Sequence, residues 1–363
     1  MQGGVMEKNG LMLERALRAG VLAGLLLSGS FGANAAQSTQ VEANKAVVKR
    51  YLEAEGTAGF ANVLKQVQAA GHKQLRYEFH NLKYNADNSE LAKLGLPDYK
   101  AIPDRSNEIT RLLGEGDMVA ATVHVKGTHQ GNFYGIPATG KSFDFDEVAI
   151  FKLANGKITE TFLMADEARF MRQIGARLPA RKDGKLIAPP IPDDTREGDV
   201  VLNELLAHPV DSQQYRNKVL MVGYKAKTKP PGYAFTGRPY GNNTRAGNQN
   251  TVDMLKDIKA ATGKDVSGSF GAAWQDRQDR IANVIADGNQ GMMQFRLNAK
   301  NGGPLYTIPA SNKQIQSWEI CFAEFDGEKW QTAWFIGDEL GMMLQIGSQQ
   351  AVSFLLDDIN TPR

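Results

Sequence analysis

Cysteine is almost absent from this chain, with Cys321 the only one among 363 residues. A single thiol forms neither an internal disulfide nor a paired Cys-x-x-Cys redox or metal site. Excess charge of one sign is also absent, because 42 Lys and Arg residues face 40 Asp and Glu residues. The sequence therefore indicates neither a disulfide framework nor a nucleic-acid partner, which would require a concentrated basic surface.

Common catalytic motifs are missing as well. The sequence has no H-E-x-x-H, no G-x-S-x-G, no P-loop and no G-x-G-x-x-G after a strand-like segment. The histidines show no metal-ligand spacing; they are His72, His80, His124, His129 and His208. Hydrolytic-triad and nucleotide chemistry are therefore not indicated.

The first 35 residues have the pattern of a secretion signal. Arg15 and Arg18 precede an apolar run at 19–27, and small residues ending in Ala33-Asn34-Ala35 follow. This is the order of a signal peptide with an A-x-A cleavage site. The apolar run is too short to span a bilayer. We predict a signal peptide at 1–35, a periplasmic or secreted location and no membrane span after cleavage, with an uncleaved anchor as the alternative.

Hydrophobic spacing changes from helical to strand-like along the first half. Apolar residues at helical spacing between 47 and 67 predict one or two helices. Alternation at 75–80, 118–128, 143–153 and 157–165 predicts strands, with Asn155-Gly156 as a hairpin turn between the last two. Helices followed by an antiparallel meander indicate an α+β fold.

The chain also contains an internal repeat. Residues 104–175 and 276–347 align without gaps at an offset of 172 and share 18 of 72 residues. The Pro-rich segment 177–199 between them is typical of a semi-rigid linker. We predict one domain at 40–176 and a divergent copy at 200–357.

Each copy carries an aspartate between a strand and a short helix, namely Asp166 and Asp338. If the strand alternates regularly, residues 158 to 166 of even number share one face, and Phe162 and Trp334 line a pocket beside the aspartates. Desolvation there would raise the pKa of the carboxyl and make it a general acid or base. Asp is also a preferred helix N-cap, so capping alone is the alternative. Packing in the core is likewise the alternative for the tryptophan.

Three histidines are further candidates for substrate contact. His124 lies on the strand 118–128 and His129 in the turn after it, and either could orient a substrate oxygen. His80 ends the strand-like segment 75–80. For each, a structural role in a partly buried position is the alternative. The second copy has Arg296 and Asn301 in place of His124 and His129, so the two pockets would differ in chemistry.

Residues 127–141, G-T-H-Q-G-N-F-Y-G-I-P-A-T-G-K, together with Asn155-Gly156, Asp166 and the segment 173–175, resemble the SnoaL-like polyketide cyclases. This resemblance implies a cystatin-like, nuclear-transport-factor-two-like cone, in which a curved antiparallel sheet wraps around helices. It also implies closure of an aromatic polyketide ring by intramolecular aldol condensation, without metal or cofactor and with Asp166 as acid/base. His129 matches the histidine of the family's G-x-H-x-G turn, and His80 resembles the histidine after the first helices.

The tandem arrangement and the signal depart from that family's single-domain, cytoplasmic dimers. We therefore predict two cone-shaped α+β domains, packed as an intramolecular pseudo-dimer, in an exported pocket protein. Its ligand would be a small apolar or aromatic carbonyl compound, transformed without a cofactor by aldol cyclisation or isomerisation. The alternatives are a non-catalytic binding module for an apolar ligand and a structural pair with filled pockets. The predicted catalytic residues are Asp166, His129 and Asp338, and the predicted substrate-binding residues are His80, His124, Phe162 and Trp334.

Overall fold

The structure is a computed structural model that describes residues 37–85, 100–177, 194–228, 244–327 and 329–346. The predicted signal peptide and most of the predicted linker lie outside these residues. The described chain forms two mainly antiparallel sheets with associated helices, which confirms the predicted α+β class. Within the described ranges, no helix has the length and apolar character needed to cross a membrane.

The first sheet has five strands in the order β1-β5-β4-β3-β2. All neighbours are antiparallel except β1, which runs parallel to β5 and lies at the edge. The strands are β1 (Gln68–Arg76), β2 (Ser106–Glu115), β3 (Met118–Thr128), β4 (Ser142–Ala154) and β5 (Lys157–Ala165). The helices of this half are α1 (residues 37–54), α2 (Phe60–Val67), α3 (His80–Asn85) and α4 (Glu167–Ile174).

The second sheet has six strands in the order β6-β8-β9-β10-β11-β7, with β7 parallel to β11. The strands are β6 (Arg196–Glu197), β7 (Thr244–Ala246), β8 (Trp274–Asp287), β9 (Gln290–Asn301), β10 (Gln314–Asp326) and β11 (Lys329–Gly337). The helices are α5 (Gly198–Leu206), α6 (Gln213–Lys225), α7 (Gln249–Thr262), α8 (Ser269–Ala272) and α9 (Glu339–Ile346).

The strands predicted at 118–128, 143–153 and 157–165 are confirmed to within one residue. The turn between the last two is also confirmed, because Asn155 and Gly156 both have positive φ, 52° and 71°. Two such residues give the turn whose twist matches a hairpin. The predicted strand at 75–80 is wrong beyond Arg76: His80 begins helix α3, and the Glu167 carboxylate accepts the next two amides of that helix.

A β-bulge in β5 changes which residues share a face. Leu153 pairs with Ile158 and Lys152 with Glu160, so Thr159 is an extra residue on this strand. A one-residue insertion moves every later side chain to the opposite face. Ile158 consequently packs on the helix side, whereas Phe162 lies on the other side of the sheet. The predicted single face from 158 to 166 is therefore wrong.

An apolar layer without helical residues joins the two sheets, and we call it the intersheet layer. Its largest contact is between the Phe162 and Trp318 rings, whose centroids are 5.6 Å apart at an angle of 81°. Phe322 and Trp334 form a second edge-to-face pair at 5.9 Å. Burial of such rings contributes both area and specific ring geometry. The layer's other large side chains are Leu113, Val148, Ile150, Met164, Ile285, Met292, Ile320 and Ile336.

Phe162→Ala tests whether this residue is packed or lines an open pocket. Because the ring is 4% exposed in the intersheet layer, we expect the free energy of unfolding to fall by about 3–5 kcal/mol. Urea denaturation of both proteins gives the difference. Val252→Ala, at a position that is 40% exposed, is the control and should change stability by less than about 0.5 kcal/mol. A loss below about 1 kcal/mol for Phe162→Ala would contradict the packed position.

Candidate functional site

Asp166 caps two helices at once. Its Oδ1 accepts a hydrogen bond from the Arg169 amide of α4 at 3.1 Å, and its Oδ2 accepts one from the Asn250 amide of α7 at 3.1 Å. The side chain is buried. Burial raises the pKa of Asp166 to about 7, Glu339 raises it further, and the two amide bonds act in the opposite direction. Asp166 thus has the elevated pKa that the sequence predicts, but both its oxygens already have backbone partners.

Asp338 occupies the corresponding place in the second half. Its Oδ1 accepts hydrogen bonds from the Gly341 amide of α9 at 3.0 Å and from Asn81 Nδ2 of α3 at 2.6 Å. Its Oδ2 lies 3.1 Å from Arg76 Nη2. Each aspartate therefore caps the helix that follows it and also binds a helix of the other half. Capping of this kind satisfies amides that a helix leaves without internal partners.

The glutamate after each aspartate is also buried at a helix start. Glu167 Oε2 accepts the Leu82 amide at 3.0 Å, and Glu339 Oε2 accepts Asn250 Nδ2 at 3.1 Å. Burial raises the pKa of Glu167 to about 8, against the attraction of Arg76, and it also raises the pKa of Glu339. We call Asp166, Glu167, Asp338 and Glu339 the interhelix carboxyl cluster.

His129 is fully buried beside helix α4. Its Nδ1 lies 3.1 Å from Thr139 Oγ1, and its Nε2 has no hydrogen-bond partner among the described residues. The ring centroids of Phe133 and Phe170 are 6.4 and 6.2 Å away. Burial lowers the pKa of His129, which favours the neutral imidazole. No hydrogen bond joins it to Asp166 in the described part of the chain.

The remaining predicted residues lie in separate places. His124 is partly exposed, with Nδ1 2.8 Å from Asp146 Oδ1. His80 packs against Tyr84 with ring centroids 4.6 Å apart, and burial lowers the pKa of His80 to about 2. Phe162 and Trp334 both lie in the intersheet layer. The seven predicted site residues therefore do not converge on one described cavity.

A polar cluster inside the first half was not predicted from the sequence. Arg105 Nη1 lies 2.8 Å from Glu78 Oε2, and its Nη2 lies 3.6 Å from Glu147 Oε2 and 3.9 Å from Glu55 Oε2. These four side chains, the Arg105 cluster, are at most 7% exposed. Glu55 follows α1, Glu78 lies between β1 and α3, Arg105 precedes β2, and Glu147 is on β4.

The charges of the Arg105 cluster do not balance, since three carboxyls surround one guanidinium. Burial raises the pKa of Glu147 well above its usual range and that of Glu55 to about 8, with repulsion from Glu78 adding to both. Both Glu147 oxygens, Glu55 Oε2 and Glu78 Oε1 lack a hydrogen-bond partner among the described residues. Buried polar atoms normally have such partners, and exceptions often mark functional sites.

Aromatic rings surround the Arg105 cluster and pack edge to face. Phe79 is the centre, with the Phe133, Phe170 and Phe145 centroids at 4.8, 4.9 and 5.4 Å. An open cavity of about 480 Å³ lies at the rim of this half, between Asp104, Lys126 and Asp144. Neither Asp166 nor His129 lines it. The described interior therefore combines an apolar aromatic wall with a small, strongly polar group.

The internal repeat carries a signal for this cluster. Arg105 and Glu147 recur at the offset of 172 residues as Arg277 and Glu319. In the second half Arg277 Nη2 lies 2.8 Å from Glu319 Oε2. An arginine and a glutamate kept at the same offset, with the glutamate inside a predicted apolar strand, would have indicated a buried ion pair.

Comparisons with known proteins agree with this part of the chain. Residues 90–174 match the family of SnoaL-like polyketide cyclases. Among curated proteins, aklanonic acid methyl ester cyclase DauD of Streptomyces sp. (strain C5) is 31% identical over 75 residues, which are 21% of this chain and 47% of that protein. The chain thus spans about half the length of this curated relative.

Solved structures of similar proteins cover about the same share of the chain. A protein described as a SnoaL-like polyketide cyclase, from Jannaschia sp. CCS1, is 21% identical, covers 37% of this chain and 92% of its own, and has a TM-score of 0.31. AclR from Streptomyces galilaeus, described as a hydroxylase, is 23% identical over 37% of this chain and 97% of its own, also with a TM-score of 0.31.

Stability should fall as the pH rises from about 6.5 to 8. Glu167 and Asp166 have raised pKa values in the folded chain, so their contribution is complete below the unfolded value near pH 4 and is lost through about pH 7 to 8. Each such carboxyl lowers the free energy of unfolding by about 1.4 kcal/mol per pH unit. Urea titrations across this range measure the slope.

Glu167→Gln should reduce this slope, since the residue can no longer ionise. Glu53→Gln, a change at an exposed helical position, is the control and should leave the slope unchanged. Buried histidines with lowered pKa values oppose the trend only below about pH 6.5, which is why the range begins there. Stability that increases from pH 6.5 to 8 would contradict the raised carboxyl pKa values.

Proposed function

We propose that the first half is a cofactor-free acid/base catalyst acting on a small carbonyl compound at the Arg105 cluster. The carrying observation is that one buried guanidinium holds a carboxylate and a carboxyl of strongly raised pKa side by side. Two carboxyls with environments that push their pKa values apart are the usual basis for separate acid and base roles. The similarity of residues 90–174 to SnoaL-like polyketide cyclases supports this proposal, and that range includes Arg105 and Glu147.

The roles follow from the contacts. Glu78, which forms the shortest pair with Arg105, acts as the base and removes a proton next to the carbonyl group. The Arg105 guanidinium stabilises the negative charge that develops on the enolate oxygen. Glu147, whose carboxyl is protonated at neutral pH, returns a proton to oxygen or carbon. Attack of the enolate carbon on a second carbonyl of the same molecule would then close a ring.

The substrate class follows from the surroundings of the Arg105 cluster. Phe79, Phe133 and Phe145 present aromatic edges and faces beside the polar group. Such rings favour a flat apolar or aromatic ligand, and the single guanidinium favours one carbonyl oxygen at the reacting end. The relative named above is a methyl ester cyclase by its description. We therefore infer an aromatic or polyketone carbonyl compound as the ligand.

Asp166, His129 and Asp338 stay predicted catalytic residues on the family resemblance. In this proposal their described contacts favour a positioning role, since each aspartate fixes the helices around the interior. Asp166 would have to release the Arg169 or the Asn250 amide to exchange a proton with a ligand. Its raised pKa remains compatible with such an exchange.

We further propose that 40–176 and 200–357 are tandem domains packed as an intramolecular pseudo-dimer. Reciprocal contacts support it, because an interface with twofold symmetry uses the same surface on both sides. Glu115 Oε2 accepts the Ala286 amide at 2.8 Å, and Asp287 Oδ2 accepts the Gly114 amide at 3.0 Å. Glu115 and Asp287 are related by the offset of 172 residues. The two capping aspartates show the same exchange of contacts.

We also propose that the protein is exported to the periplasm or secreted. The support is the charged, apolar and small-residue order within the first 35 residues. Fractionation of cells that produce the full chain, with mass analysis of the mature N-terminus, tests this proposal. A mature chain that retains residues 1–35 in the soluble cell interior would contradict it.

Hydrogen–deuterium exchange at the carbon next to a carbonyl tests the acid/base proposal. Proton NMR of a panel of aryl methyl ketones in deuterated buffer measures this exchange with and without protein. Glu147→Gln keeps the size of the side chain but cannot transfer a proton, so we expect the catalysed rate to fall by about 10²–10⁴-fold. Glu108→Gln, on an exposed position of β2, is the matched control and should keep the wild-type rate.

The same experiment separates catalysis from binding alone. A non-catalytic binding module would broaden ligand resonances without increasing exchange, and Glu147→Gln would leave that binding intact. Wild-type exchange at the buffer rate for every ketone in the panel would contradict the proposed catalysis. Equal catalysed rates for Glu147→Gln and the wild type would contradict the role of Glu147.

A further inference from the structure

The interior of the second half keeps the arginine–glutamate pair but adds a lysine. Lys225 ends helix α6 and its side chain is 5% exposed. In the first half the residue that follows the corresponding helix and faces the arginine is Glu55. The second half therefore contains a buried primary amine where the first half contains a carboxyl.

Two groups hold the Lys225 amine. Its Nζ donates to Asp279 Oδ2 at 2.6 Å and lies 3.7 Å from the centre of the Phe295 ring. Arg277 Nε donates to the other Asp279 oxygen at 3.0 Å, so one carboxylate serves two cations. This sharing leaves the amine with less than a full counter-charge. Burial lowers the pKa of Lys225, and Arg277 adds to this lowering, against the attraction of Asp279.

A cavity adjoins this amine. It has a volume of about 420 Å³, and its lining includes Lys225, Arg277, Asp279 and Tyr224. This volume is within the range of small-molecule sites. The lining combines an amine, a guanidinium and a carboxylate with an aromatic ring, so it can hold a compound with one polar and one apolar end.

We propose that the second half binds an aldehyde or ketone covalently, as an imine on Lys225 Nζ. A buried lysine next to another cation is the arrangement that makes an amine nucleophilic near neutral pH. The proposal concerns a different cavity and a different chemistry from the Arg105 cluster, and it does not depend on catalysis there.

The covalent step needs no further reactant. Asp279 Oδ2 first accepts a proton from the Lys225 ammonium, and the free amine attacks the carbonyl carbon. The N–C bond forms while the carbonyl electron pair moves to oxygen, which takes up a proton. Loss of the second N–H proton and departure of that oxygen as water then give the C=N bond. The net change is amine plus carbonyl compound to imine plus water.

Reductive trapping on the full-length protein tests this proposal. Benzaldehyde at a limiting concentration and sodium cyanoborohydride convert an imine to a stable benzyl-lysine, which peptide mass spectrometry locates. At pH 7 we expect labelling of Lys225 at least tenfold above that of Lys259, which is exposed. The pH midpoint of Lys225 labelling should also lie below that of Lys259. Labelling of Lys225 no greater than that of Lys259 would overturn the proposal.

Two variants separate the amine's reactivity from its structural role. Lys225→Arg keeps the cation beside Asp279 but cannot form an imine, so it should fold and lose this label completely. Glu147→Gln, in the first half, should keep full labelling at Lys225 even where ketone exchange is lost. Benzyl groups found at the wild-type level on another cavity lysine in Lys225→Arg, with Lys227 as the nearest candidate, would overturn the assignment to Lys225.

Discussion

Backbone amides at helix starts hold the buried carboxylates, and the contact between the two halves depends on this. An unpaired carboxylate would cost several kcal/mol in such a position, because nothing replaces the water it has lost. Asp166 avoids that cost by accepting one amide from its own helix α4 and one from α7 of the other half. Asp338 uses its own helix α9 and the Asn81 side chain of α3. Neither aspartate is fully satisfied within one half.

This arrangement makes the interface polar at one end and apolar at the other. The interhelix carboxyl cluster fixes the direction of four helices, and the intersheet layer supplies area without direction. Hydrogen bonds to buried acceptors are specific because a small displacement leaves them unpaired. The apolar layer, with Phe162 against Trp318, tolerates more adjustment. The carboxylates therefore define the register in which the layer packs.

Much of the fold follows from the sequence because its patterns are local. Alternation at 118–128 and 157–165 and the Asn155-Gly156 turn depend on neighbouring residues alone, and the structure agrees with them. The bulge at Thr159 cannot be read in this way, since one inserted residue leaves the composition of the strand unchanged while it reverses the face. Phe162 was consequently expected in a pocket and lies between the sheets. The parallel edge strand β1 depends on long-range pairing and has no local pattern.

The site was harder to predict for a related reason. Asp166 stands out in the sequence because it follows a strand and repeats, and both properties also describe a helix cap. Arg105, Glu55, Glu78 and Glu147 come from four separated segments, and their chemistry exists only once the sheet brings them within 4 Å. Comparison of the two copies at the offset of 172 residues is the one sequence test that selects Arg105 and Glu147. It would have selected them because a buried pair is costly to break on one side only.

Duplication within one chain also explains how the two interiors came to differ. In a dimer of identical chains, any change in one interior occurs in both. Here Arg277 and Glu319 keep the pair that Arg105 and Glu147 form, while Glu55 and Asn107 of the first half correspond to Lys225 and Asp279 of the second. The first exchange replaces an acid with an amine, and the second adds the carboxylate that a buried amine needs as a partner. Each change alone would leave a buried charge without a counter-ion, so the two changes stabilise the fold only together.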